Sequence, residues 1–181
     1  MVLLEFLHIY LLLKIFLEEK KGYSFASFGL WSALDFIAAW NIHLEGGDHT
    51  LALVWGCCAG LMALLLLIKK QASWSRTENL VLFLIIVCLV IQNIYGPSIA
   101  LIAAVTSLVI ASVPQIKDSY ITPNRKVGRV YIIFTLSAVV SLFAAKELTF
   151  ASLSYPVTAS LMCGTIMFFS YAKKNQSIKI L

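Results

Sequence analysis

The chain has 181 residues, of which 60% are hydrophobic and only 13% charged, against ~45–50% and ~25% in an ordinary soluble domain. Seven helices of ~20 residues would take up most of that length and leave only loops and tails, so a soluble enzyme, a secreted disulfide scaffold, a disordered chain and a nucleic-acid binder all fit poorly. The formal net charge of +5 is what Lys- and Arg-rich cytoplasmic loops give a membrane protein, and it does not call for nucleic acid.

In chain order, hydropathy predicts seven spans, at about 2–17, 25–43, 50–68, 79–95, 97–116, 127–145 and 149–172. The first is short, and Lys14 near its end can snorkel to the interface. With Glu5 early, no basic start and no small-residue cleavage site, it does not read as a signal peptide. His8 in the same span reads as a structural residue.

The second span carries Asp35 near mid-membrane. A carboxylate there costs ~2.5–3.5 kcal/mol on insertion scales, so it should face the bundle interior, pair with a donor or carry a proton. Two readings follow: a proton-coupling or substrate-contacting group, or an interhelical clasp with a Ser, Thr, Trp or Tyr. Trp31 lies one turn earlier on the same helical face. It could line the same cavity, or pack against lipid or a neighbouring helix. Asn41 at the end of this span could contact a ligand, but a cap beside the Gly46-Gly47 turn is the more ordinary reading. His43, Glu45, Asp48 and His49 form a polar loop that could hold a metal only weakly; a solvated turn is the simpler reading, and no metal or cofactor is expected.

The third span places Gly56 and Gly60 on one face, which permits close helix approach. Ala159, Cys163 and Gly164 do the same in the seventh. Cys57, Cys58, Cys88 and Cys163 all fall in apolar runs without a CxxC pair, and read as small buried residues. Gln92 and Asn93 in the fourth span read as structural, and Gly96-Pro97 is a turn. Trp55, Trp74, Tyr95, Tyr120, Tyr155 and Tyr171 fall near span ends and read as interface anchors. Pro156 either kinks the seventh span or sits in its first turn.

The basic residues orient these spans. With the N-terminus outside, the inner gaps receive Lys20, Lys21, Lys69, Lys70, Arg76, Lys117, Arg125, Lys126, Arg129, Lys173, Lys174 and Lys179, whereas the outer gaps receive only Lys146. That asymmetry follows the positive-inside rule and predicts N-out, C-in. The layout also repeats at a spacing of about 100 residues, with basic loops in matching places. The expectation is an all-α polytopic protein in a 3+1+3 parallel-repeat arrangement: a three-helix bundle over 1–70, a linker helix over 71–96 and a second bundle over 97–181. A single linker span restores the same orientation to both bundles, a plan known in transporters.

At the end of the fifth span, Ser112-Val113-Pro114-Gln115-Ile116-Lys117-Asp118 sets a Pro-Gln pair before a loop containing Thr122-Pro123-Asn124. Together with size, layout and orientation, this resembles the PQ-loop superfamily, which includes the SWEET sugar transporters. The resemblance implies a small-solute carrier working by alternating access, with Pro114 and Gln115 as a hinge or gate at the cytoplasmic side. The alternative for Pro114 is a plain helix end. Leu12-Leu13-Lys14 stands where the family's first Pro-Gln would lie, and neither the third nor the seventh span carries an Asn at depth, so a sugar is not implied. A non-transporting protein of the same fold, acting as an assembly partner or receptor, is the second expectation. No HExxH, GxSxG, P-loop or CxxC pattern is present, and an enzyme is not expected. The expected partners are the lipid bilayer, a small polar solute, a coupled proton and a second copy of the chain. The absence of long loops suggests a prokaryotic cytoplasmic membrane.

Overall fold

A computed structural model describes residues 25–69, 74, 76–145 and 147–172. The first expected span, with His8 and Lys14, lies outside these residues, as do Lys20, Lys21, Lys70, Lys146, Lys173, Lys174 and Lys179. The described chain is all-α. Its six helices are α1 (Phe25–Leu44), α2 (Thr50–Ile68), α3 (Arg76–Tyr95), α4 (Pro97–Ile121), α5 (Arg125–Ala144) and α6 (Phe150–Tyr171). Five of them, α2 to α6, are long and apolar enough to cross a membrane, so the chain is a multi-pass membrane protein by length and composition. α1 is as long but is not among the five; Ser27, Ser32, Asp35 and Asn41 interrupt it.

The sharp turns form where the sequence supplies glycine. α1 ends at Gly46, whose φ of 75° is a conformation that a side chain resists. Gly46 N–H donates to the His43 carbonyl at 3.0 Å and Gly47 N–H to that of Ile42 at 2.8 Å. This is a Schellman C-cap, and it satisfies carbonyls that the helix end would leave bare. Gly96, at φ 81°, is the single residue between α3 and α4, and Pro97 then opens α4 at a position that needs no N–H. Asn124 caps α5 through Lys126 N–H, and Thr149 caps α6 through Ser152 N–H.

The most extensive packing joins α1 to α2 and α5 to α6; α4 then packs on α1, α3 and α6. Glycine sets the first two contacts. A Cβ on Gly56 would stand 3.3 Å from the Asp35 Cβ, and one on Gly60 would stand 3.0 Å from Ser32 Oγ. Ser32 Oγ donates to the Gly56 carbonyl at 2.7 Å. Across α5 and α6, Gly128 lies against Ser170 and Tyr171. The expected close approach of the Gly56–Gly60 face is therefore present, and α1 is what it receives. α3 is peripheral: 22% of its apolar stretch is buried, against 44% for α2. Its buried residues Glu78, Val81, Ile85 and Cys88 form one stripe.

Three expectations are corrected here, and a fourth is narrowed. Trp55 and Tyr155 are not interface anchors but buried core residues, 6% and 2% exposed; each faces the bundle centre rather than the lipid. Cys57 is exposed on the outer face of α2, while the other three cysteines are buried and all four are free. Of the two places open to Pro156, the first turn is removed: it is the seventh residue of α6, inside the helix. Asn41 does not cap the turn. It is fully buried and donates Nδ2–H to the Ile37 carbonyl at 2.7 Å, one turn back in its own helix.

Candidate functional site

All six described helices contribute to one cavity of about 240 Å³. It gathers the four residues that the sequence singled out: Asp35 and Trp31 from α1, and Pro114 and Gln115 from α4. The i,i+4 spacing of Trp31 and Asp35 turns both toward this space, and Trp31 also packs edge-on against Phe28 at a centroid distance of 5.7 Å. Trp31 also packs against a cluster that includes Met62, Ala63 and Leu66 of α2 and Val130 of α5, so it both lines the cavity and packs on neighbouring helices.

Asp35 occupies the interior of the cavity. Tyr155 Oη donates to its Oδ1 at 2.7 Å, joining α1 to α6 across 120 residues of chain. Tyr155 begins a run of rings. Its centroid lies 6.0 Å from that of Trp55, which lies 4.7 Å from Phe134, which lies 5.6 Å from Tyr131. These rings stand on α6, α2 and α5, so three helices are tied together beside one carboxylate. Ser112 on α4 donates to its own Leu108 carbonyl at 2.7 Å and contacts Met162 Sδ on α6. Such back-bonding satisfies a hydroxyl inside an apolar helix.

The cavity is one-sided. It extends past Ser112 to Gln115 and Asp118 on α4, and to Val127 and Val130 on α5. Asp118 is exposed, and its neighbours in sequence carry Lys117, Arg125, Lys126 and Arg129. Glu78 on α3 lines the cavity as well, buried, and accepts a hydrogen bond from Ser27 at 2.7 Å. Toward the Gly46-Gly47 loop the bundle is closed. Ala38, Ile42, Leu51, Ala52 and Ala151 are buried there, and none of them borders the space.

Pro114 is not at a helix end. α4 continues through it for seven more residues, to Ile121. Proline has no N–H, so the Ile110 carbonyl loses its donor one turn back, and the helix is locally weaker at the point where it lines the cavity. This removes the plain helix end as an account of the Pro-Gln pair.

Among the described residues no group of three or more His, Cys, Asp or Glu side chains could hold a metal ion. At the Gly46-Gly47 loop, His43 and His49 stack edge-on at 4.8 Å, and Asp48 accepts from Thr50 N–H at 3.0 Å. Asn93 donates to the Leu89 carbonyl, in keeping with a structural place.

Sequence reasoning missed Tyr155, Trp55 and Glu78. The signal for Tyr155 was present: Tyr155, Ala159, Met162, Cys163 and Ile166 recur at helical spacing, and all line the cavity. Glu78 stands one residue before the predicted 79–95 span, and charge alone gave no sign that it is buried. Comparison with family models, curated proteins and solved structures finds no match to this chain.

Proposed function

We propose that this chain is a small-solute membrane carrier of PQ-loop/SWEET-like type, with seven transmembrane helices arranged 3+1+3, N-out and C-in, and working by alternating access. One observation carries the reading. One cavity, lined from all six described helices, holds Asp35, Trp31, Pro114 and Gln115, and it extends past Ser112 to Asp118 rather than toward the Gly46-Gly47 loop. A packed structural bundle has no use for such a space, which would forgo dispersion contacts on every wall. A carrier needs it, open to one side at a time. The end that reaches Asp118 lies near Lys117, Arg125, Lys126 and Arg129 in sequence, and in this reading the positive-inside rule makes it the inner end.

In this reading Asp35 contacts the solute or a coupled proton, with Tyr155 fixing its carboxylate. Pro114 and Gln115 form the segment of α4 that moves when the inner end closes. The freed Ile110 carbonyl makes bending there less costly than in an uninterrupted helix. A non-transporting receptor or assembly partner is the second reading. It is favoured by Leu12-Leu13-Lys14, which gives the first half no matching proline.

The test is a thermal-shift screen of the detergent-purified protein against sugars, amino acids, vitamins and organic ions at two pH values. Binding to the native state raises the melting temperature by mass action. The expected result is a solute class that stabilises the protein and loses its effect in Asp35→Asn. A screen in which every hit is indifferent to Asp35 would sink the assignment of this cavity as the transport site.

A further inference from the structure

The cavity wall is uneven in its chemistry. Three carboxylates line it, those of Asp35, Glu78 and Asp118, and no Lys, Arg or His does so among the described residues. Asp35 is 6% exposed and accepts one hydrogen bond, from Tyr155 onto Oδ1. No described residue donates to its Oδ2. A carboxylate oxygen left in this state inside a membrane protein calls for a cation or a proton.

The aromatic run supplies the second half of the argument. Tyr155, Trp55, Phe134 and Tyr131 follow one another at centroid distances of 4.7 to 6.0 Å, and the run ends on Asp35 itself. Trp31 adds a further ring from α1. Aromatic rings attract a cation through their quadrupole, and quaternary ammonium groups are the characteristic guests of such walls. A carboxylate- or phosphate-bearing solute would meet the like charge of Asp35 in a wall to which no described Lys, Arg or His contributes. At about 240 Å³ the space lies just below the usual range of ~300–1,000 Å³ for ligand sites, which limits the guest to a small molecule.

We propose that the cavity takes a small organic ammonium ion, held between the Asp35 carboxylate and the ring run from Tyr155 to Tyr131, with Asp118 at the entrance. This substrate class rests on the carrier reading, and the experiment separates the two.

The full-length chain is purified in detergent and titrated with tetramethylammonium, choline and ethanolamine, and with the uncharged carbon isostere of choline. The same protein is reconstituted in vesicles for counterflow of labelled choline. We expect the cations to bind and the isostere not to. Asp35→Asn should weaken the cations about 30-fold or more, as loss of a buried charge partner does. It keeps the size of the side chain and an acceptor for Tyr155, and its elution profile and melting curve report that it folds. Asp118→Asn, at the exposed entrance, should weaken binding only a few-fold. Equal binding of choline and its isostere, or counterflow of a neutral or anionic solute without choline, overturns the ammonium class while leaving a carrier. Binding of choline that depends on Asp35 but gives no counterflow keeps the class of guest and overturns the carrier. Absence of binding by all three cations overturns the proposal.

Discussion

α1 and α3 are both twenty-residue helices, and they invert the rule that governs soluble proteins. α3 is apolar without a break from Leu80 to Ile91, yet it lies at the edge of the bundle with Phe83, Ile86, Val90 and Ile94 exposed. α1 is interrupted by Ser27, Ser32, Asp35 and Asn41, and half of its residues are buried. The difference follows from the solvent. Lipid tails are as apolar as leucine, so an apolar face gains little from being covered. A serine, an asparagine or a carboxylate gains much from being turned inward, where backbone and side-chain partners wait. In this chain polarity within a span marks the centre, and uniform hydrophobicity marks the rim.

The strongest way to break that comparison is to push α2 off α1. Gly56 lies against Asp35 and Phe36, with a Cβ position 3.3 Å from each. Gly56→Leu has nowhere to place its side chain without moving α1, which carries the Asp35 end of the cavity. We expect a loss of about 3 kcal/mol or more, at the upper end of core overpacking. It should be read as a large fall in melting temperature in detergent, with loss of any solute-induced stabilisation. A variant that melts like the parent would show that the α1–α2 contact does not hold the bundle centre.

How much of this was legible in the sequence follows from the same contrast. Length and hydropathy fix where helices lie: the predicted 25–43 and 50–68 are α1 and α2 within one residue. The Gly56–Gly60 spacing pointed to a close contact, and the i,i+4 pair Trp31 and Asp35 pointed to one cavity. Depth along a helix was legible, but direction around it was not. Tyr155 stands six residues into α6 and Trp55 six into α2, depths at which an aromatic ring suits the lipid interface equally well. Which way each ring turned depended on partners far off in sequence, Phe134 for Trp55 and Asp35 for Tyr155. The end of α4 was missed for a local reason. Pro114 reads as a stop by its missing N–H, but a helix flanked by neighbours on α1, α3 and α6 can absorb that loss and continue.

A smaller perturbation sharpens the comparison at a single atom. Tyr155→Phe removes the hydroxyl that donates to Asp35 Oδ1 at 2.7 Å while keeping the ring beside Trp55. Hydrogen bonds between membrane helices are worth about 0.6 kcal/mol on average and about 1.7 at most. A buried carboxylate acceptor belongs at the upper end, so we expect a loss of about 1 kcal/mol or slightly more. A thermodynamic cycle with Asp35→Asn isolates the pair, since contacting residues are the ones that fail to add. If the two changes prove additive, the Tyr155 hydroxyl does not fix the carboxylate, and the positioning of Asp35 must come from α2 alone.

The smallest effect belongs to the rim. Phe83 on α3 is 60% exposed and lies on the side away from Val81, Ile85 and Cys88. In water such a residue would be an aggregation hazard, and its replacement by alanine would improve the protein. In a membrane it meets acyl chains in every state that stays inserted, so truncation removes lipid contact from folded and unfolded forms alike. Phe83→Ala should therefore change stability by less than ~0.5 kcal/mol, as surface substitutions away from special features do. The melting temperature in detergent and the binding of any solute should both stay at the parent value. A loss as large as that of Tyr155→Phe would mean that α3 is covered by something besides lipid, and a second copy of the chain, seen as a dimer on light scattering, would then be the first thing to look for.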